Sequence, residues 1–242
     1  MKKFIDNDTH DYILKVLEEN GINKQILDSA SKMDIDFVHI FNDKIIGVKN
    51  KRELEINKDV IVKMLLGVYG NFIASSYYKA VGYNIENEYP VLDKDKNEIT
   101  RADISFKEHD GKLHLCEVKT TPQIIDNIRN YQDDEEELYN GKYYYDMDND
   151  IIKYKEIGKK LINQVKKLKT VSDNVSVVVF SGCFMDDIIK DKLQELGVTV
   201  KVLGINIHDL KRNIEEIVEN ISYEFIRDLK PKLFKYELKN AS

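Results

Sequence analysis

The stretch Arg101-Ala102-Asp103-Ile104-Ser105-Phe106, then Lys107-Glu108-His109-Asp110-Gly111-Lys112, then Leu113-His114-Leu115-Cys116-Glu117-Val118-Lys119-Thr120 decides how this chain folds. Two strand-like runs flank a polar linker that carries Asp-Gly, a strong hairpin signal. Loop length then sets which residues face each other. A two-residue loop at 110–111 pairs position 103 with 118. A three-residue loop, His109-Asp110-Gly111, puts glycine third, where that hairpin class needs a left-handed residue. It pairs 103 with 117 and 101 with 119. The three-residue loop is the expected one. Directly opposite residues have Cβ atoms roughly 4.5–5.5 Å apart on one face, and Lys119 shares the face of Glu117 at the strand period of two. Asp103, Glu117 and Lys119 then converge.

Working outward, Val60, Ile61, Met64, Leu65, Val68, Phe72, Ile73 and Tyr77 recur at helical spacing from about residue 57 to Gly82. Residues 84–92 read as a first strand, and Pro90 marks it as an edge strand. Beyond the hairpin, 122–131 reads as a helix and 143–154 as a hairpin insertion. A helix follows at 154–169, then a buried strand at 175–180 whose unbroken apolar run suits a sheet centre covered on both faces. A helix at 185–196 ends at Gly197 and leads to a strand at 198–203. An amphipathic helix at 207–229 is broken by Pro231, and its apolar stripe suits either the chain's own core or a second subunit. The order from 57 is α-β-β-β-α-β-α-β, which predicts the α/β class with a mixed central sheet flanked by helices. Residues 1–55 read as a small α+β appendage: a helix stopped at Asn20-Gly21, a second at 22–33, and a hairpin over 37–48. The expected organisation is therefore 1–55, a core at 56–206, and a C-terminal helical segment at 207–242.

A chain of 242 residues can bury a full core. No run approaches the roughly 20 apolar residues that span a bilayer, and the polar start predicts no secretory leader. Cys116 and Cys183 sit in apolar runs and read as reduced core thiols, which fits a cytoplasmic protein. His10, His39, His109, His114 and His208 show no metal-ligand spacing and read as surface or strand residues. The net charge of −6 does not advertise nucleic-acid binding, but its distribution is uneven. An acidic block at 132–150 precedes a lysine-rich helix carrying Lys159, Lys160, Lys166 and Lys167. Tyr143, Tyr144 and Tyr145 read as half-buried strand surface, with base stacking as the sharper alternative.

Two carboxylates and a lysine on adjacent strands suit metal-assisted phosphodiester cleavage. Asp103 and Glu117 supply oxygens to a hard divalent cation, Mg²⁺ or Mn²⁺, with the Val118 carbonyl as a third ligand. The metal lowers the pKa of a bound water. Lys119 orients that water and steadies the transition state. The bland alternative is a cross-strand salt-bridge cluster.

With these residues in place, the chain resembles the PD-(D/E)XK nuclease superfamily, closest to its Mrr-like restriction-endonuclease and Holliday-junction-resolvase-like branch. Asp103 matches the metal-binding aspartate, with Ala102 in place of the common proline, and Glu117-Val118-Lys119 matches the (D/E)-x-K element. Gln164-Val165 resembles the glutamine found in the following helix. Residues 179–184, the next helix and Gly197-Val198 resemble the closing β-α-β segment. The resemblance spans residues 65–205. It implies a restriction-endonuclease-like αβββαβ core with Asp103, Glu117, Lys119 and Gln164 as catalytic residues. It also implies a Mg²⁺-dependent DNA endonuclease of restriction, defence or repair type, with Lys159, Lys160, Gln164 and Lys167 against the nucleic acid and a homodimer as a compatible assembly. A catalytically inactive binding module and an RNA-cleaving effector are the other readings. One departure stands out. Asn71 occupies the position where the family often carries glutamate, and an amide offers an oxygen without a charge. Glu86 and Glu88 lie nearby in sequence.

Overall fold

A computed structural model describes residues 7–19, 21–26, 40–124, 128–130, 143–146, 151–154, 157–224, 226–228 and 230–231. The chain divides into two compact units, Met1–Ile73 with His208–Ser242, and Ala74–Ile207.

The first unit is helical among its described residues. Helix α1 spans Asn7–Glu19, and Gly21 follows it with φ +93. The expected hairpin over 37–48 is not formed at 40–48, where Asn42–Ile46 makes a single π-helical turn. The physical reason is the spacing of the apolar side chains. Phe41, Ile45 and Val48 are all buried, and i, i+4, i+7 is the period of a helix rather than a strand. Helix α2, Lys51–Val81, runs 31 residues. Contrary to expectation, it is long and apolar enough by length and composition to cross a membrane, but half of its apolar window is buried within the protein.

Buried Ile214 and Val218 lie on helix α5, Ile207–Glu219, and buried Ile221 lies just beyond it. The apolar stripe thus packs within this chain. The expected continuous helix to 229 is interrupted at 220–222. There the amide of Ser222 turns back to the Asn220 carbonyl, and the Ser222 carbonyl accepts from Ile226 to start a new helical turn. Pro231 itself lies in helical structure, and the residues that follow it lie outside the described ones.

The second unit begins with the C-terminal end of α2. That helix stops at Gly82, whose φ is +104; Gly82 N–H bonds Lys79 O and Tyr83 N–H bonds Tyr78 O, closing the last turn. The strands follow as β1 (Ile85–Leu92), β2 (Glu98–Lys107), β3 (Leu113–Val118), β4 (Gln123–Ile124), β5 (Ile128–Asn130), β6 (Tyr143–Asp146), β7 (Ile151–Tyr154), β8 (Asn174–Ser181), β9 (Phe184–Met185) and β10 (Thr199–Asn206). Helix α3 is Ile157–Leu168 and α4 is Asp187–Glu195. The main sheet has the order β1-β2-β3-β8-β10, antiparallel across β1, β2 and β3 and parallel across β3, β8 and β10. This is the expected mixed sheet flanked by helices. Pro90 lies on edge strand β1, as expected. Residues 175–180 are buried throughout, as their apolar run predicts.

The core on one sheet face joins Leu115, Val175, Val177 and Val179 to Leu161, Val165 and Leu168 of α3 and to Ile189 and Leu193 of α4. On the other face, Tyr78 lies against Phe106 with ring centroids 4.8 Å apart.

Residues 122–131 do not form the expected helix. Gln123–Ile124 is a strand parallel to β9, and 128–130 pairs with β7. Backbone groups of this stretch find distant partners instead of helical ones: Pro122 O accepts from Phe184 N and Ile124 O from Asp186 N. The 143–154 hairpin forms, as β6 against β7. The side chains of Tyr143, Tyr144 and Tyr145 and most of the acidic block at 132–150 lie outside the described residues.

The hairpin between β2 and β3 adopts the three-residue loop. The pairs run Lys107↔Leu113, Phe106↔His114, Ser105↔Leu115 and Ile104↔Cys116, so the next step in register sets 103 against 117. Glu108 N–H bonds Lys112 O, Gly111 N–H bonds Glu108 O, and Gly111 has φ +83. A Cβ at Gly111 meets nothing within 4 Å, so only the backbone conformation resists a side chain there. Gly111→Ala is expected to destabilise the fold by about 1–2 kcal/mol in a urea titration, with Gly111→Asn recovering part of the loss. An alanine variant as stable as wild type would mean the turn does not require that conformation.

Candidate active site on adjacent strands

Asp103 and Glu117 project from neighbouring strands onto the sheet face covered by α3. Glu117 pairs with Val177, and Leu115 pairs with Val175, both on the core side. β3 stays tied to β8 one residue beyond its last ladder pair, through Lys119 N–H to Val178 O at 2.9 Å. That keeps Lys119 at strand spacing, above Glu117. Lys119 Nζ reaches Glu117 Oε1 at 2.5 Å. From α3, Gln164 Nε2 donates to Glu117 Oε2 at 2.6 Å and makes a longer contact of 3.4 Å to Arg101 O. Asp103 Oδ2 accepts the Val118 N–H at 2.6 Å. A strand residue's N–H and C=O point to the same side, so the Val118 carbonyl also faces the Asp103 edge of β3.

The electrostatics follow from depth. Glu117 is 2% exposed, whereas the Lys119 side chain is 24% exposed, so the carboxyl forms the floor and the ammonium sits at the mouth. Burial, and next the like charge of Asp103, push the Glu117 carboxyl up to about 8, against the pull of Lys119. Glu88 adds a smaller push in the same direction. It stands across from Asp103 in the β1–β2 register, between the pairs Asn87↔Ile104 and Tyr89↔Ala102. Its φ of 53 is uncommon for a residue with a side chain. Of the two nearby glutamates noted in the sequence, Glu88 is half-buried and adjoins the carboxylates, while Glu86 is exposed.

Two carboxylates and a carbonyl form an all-oxygen donor set, which suits a hard divalent cation such as Mg²⁺ or Mn²⁺. Among the described residues no three His, Cys, Asp or Glu side chains form a ready-made metal cluster, so water would complete the shell of a cation here. Asn71 is buried on α2, within the first unit.

The lysines expected against nucleic acid fall on two sides of α3. Lys160, Gln164 and Lys167 share one face by helical spacing, and Lys167 Nζ reaches Ile99 O at 3.2 Å. Lys159, about 100° round the helix from Lys160, lines with Lys166, Lys192 and Glu195 a groove of about 430 Å³ between α3 and α4.

His114, read from the sequence as a surface or strand residue, lies on β3, with side-chain partners that the sequence reading did not identify. On the face opposite Glu117, His114 Nδ1 meets Glu108 Oε1 at 2.6 Å and Nε2 meets Ser176 Oγ at 2.9 Å. The Ser176 hydroxyl contacts Cys116 Sγ at 3.2 Å, and the Phe106 ring stacks on His114 at 4.7 Å. The connectivity is that of a Ser-His-Glu triad. Ser176 is 2% exposed, however, so no substrate reaches its hydroxyl and the relay is structural. The Glu108 link was legible, since Phe106 pairs with His114 and Glu108 lies two residues on from Phe106. The Ser176 link, 62 residues away, was not.

Comparison of the chain with family models, with characterised proteins and with solved structures finds no significant match.

The raised Glu117 carboxyl has a pH consequence. Between pH 4.5 and about 8 the unfolded chain releases this proton while the folded protein keeps it. The folded state therefore loses relative stability as pH rises through that window. Melting temperatures in EDTA are expected to fall across it in wild type, and to fall less in Glu117→Gln, which becomes the more stable protein at the upper end. Parallel curves for the two proteins would refute the assignment.

Proposed function

We propose that residues 56–206 form a restriction-endonuclease-like core of the PD-(D/E)XK kind and that the protein is a Mg²⁺- or Mn²⁺-dependent nuclease cleaving DNA, endonucleolytically. One observation carries the reading. The Glu117 carboxyl is held at 2% exposure beside a second carboxylate, with Lys119 and Gln164 aimed at its two oxygens. Setting a buried carboxyl beside a second, half-buried one opposes its ionisation, and a salt bridge made for stability needs only one carboxylate. A cation site needs both.

A bound divalent cation supplies Lewis acidity and a water of lowered pKa. Asp103, Glu117 and the Val118 carbonyl would hold it. Lys119, at the mouth of the site beside Glu117, would donate a hydrogen bond to the attacking water or to a non-bridging phosphate oxygen. Its charge then offsets the negative charge that builds on the phosphate. Gln164 keeps the Glu117 carboxylate oriented, and Lys160 and Lys167 flank it on the same face of α3, where they suit contact with the phosphate backbone.

A catalytically inactive binding module is the second reading. It is favoured by the pairing of both Glu117 oxygens and of Asp103 Oδ2 with protein donors. The two readings part in a single experiment on single-stranded, duplex and branched DNA and on RNA, with and without Mn²⁺. The nuclease reading expects metal-dependent cleavage of DNA. It also expects Lys119→Ala to lower the rate about 100-fold or more with little change in melting temperature. Equal rates in wild type and Lys119→Ala would sink it, and calorimetry showing no Mn²⁺ binding that depends on Asp103 and Glu117 would favour the inactive module.

A further inference from the structure

Phe184 is 58% exposed, whereas Phe41, Phe106 and Phe180 are buried; it is the one exposed phenylalanine among the described residues. Its exposure is not that of a loose loop. Strand alternation turns it outward, because Met185, the next residue, is buried along with Ile124 of the paired strand. The backbone is fixed on both sides, by Phe184 N–H to Pro122 O at 2.8 Å and Asp186 N–H to Ile124 O at 2.9 Å. Cys183 Sγ adds a contact to Thr121 O at 3.2 Å.

The location ties this ring to the carboxylates. β3 and β8 are parallel, and Lys119 and Phe184 both follow the carboxyl ends of these strands. Ligands of open α/β sheets bind at that end. Pro122, whose carbonyl holds Phe184, is three residues past Lys119, a span of at most about 10 Å. That bounds the separation between Lys119 and the segment that holds Phe184, and both stand at the same end of the sheet.

The surroundings select a base over a phosphate. Asp186 and Asp187 lie two and three residues past Phe184 and disfavour an anion, even though Asp186 caps α4 and Asp187 pairs with Lys190 at 2.8 Å. A neutral aromatic face suits a neutral, flat partner, and every base offers one. Inside a duplex, those faces are covered by neighbouring base pairs.

We propose that Phe184 is a stacking platform for an unpaired nucleobase beside the carboxylate site, so that the preferred substrate is single-stranded or branched at the point of cleavage. The proposal rests on the nuclease reading and adds a substrate class to it. The chain contains no tryptophan, so Phe184→Trp in the full protein places a sole indole at the platform. Titration with oligothymidylate in EDTA is expected to quench that indole, and a duplex of the same length is expected not to. By fluorescence anisotropy, Phe184→Ala should bind labelled oligothymidylate roughly 5- to 100-fold more weakly than wild type. Phe184→Leu, apolar but without a π face, should bind as weakly as the alanine variant. Binding without quenching, or a leucine variant equal to wild type, would overturn the platform while leaving the nuclease reading intact. No binding of any nucleic acid by the wild-type protein would overturn both.

Discussion

The turn at His109-Asp110-Gly111 fixes the register of the sheet, and the rest of the site depends on that register. Side chains alternate faces, so a slip of one residue would send Asp103 to the face of Phe106 and His114 and away from Glu117. With the observed register, two strands that meet through local chain geometry set a pair of acids side by side. The long-range elements then close over them. Parallel pairing of β3 with β8 holds Lys119 in line, and α3, which covers the same face, brings Gln164 onto the buried carboxyl. A conformational requirement at one glycine thus propagates through two kinds of pairing to the chemistry of four side chains.

The two faces of β3 treat polar groups in opposite ways. Beneath Tyr78 and Phe106, the Glu108–His114–Ser176 relay satisfies each group with an uncharged or oppositely disposed neighbour, which lets the sheet bury them. On the α3 face the acids oppose one another and the compensation is incomplete. Left-handed Glu88 extends the acidic row by one more strand. Such conflicts between local stability and arrangement are where function is expected to concentrate.

Local rules made much of this legible. The Asp-Gly turn, the glycine that ends α2, the proline in the edge strand and the unbroken apolar run of β8 each carry their meaning within a few residues. The convergence of Asp103, Glu117 and Lys119 follows from hairpin geometry alone. Where the sequence misled, distant partners were responsible, or a period was misjudged. Gln123-Ile124 is a strand because its backbone bonds to residues some sixty positions on. The β-branched pair Ile45-Ile46 suggested a strand, yet the burial of Phe41, Ile45 and Val48 obeys a helical repeat. Lys159 and Lys160 look equivalent in a lysine-rich run, but adjacent helix positions point about 100° apart, and only Lys160 shares the face of Gln164.

The main sheet has two unlike edges. At β1 the backbone turns left-handed at Glu88, which interrupts the regular row of groups that another strand would need. At β10 the ladder is parallel and Val202 and Ile205 stand exposed. The β1 side, which carries the acids, is therefore defended against strand addition by its own backbone. Any growth of the sheet by a further chain would start from β10, with β8 between it and the strand that carries Glu117.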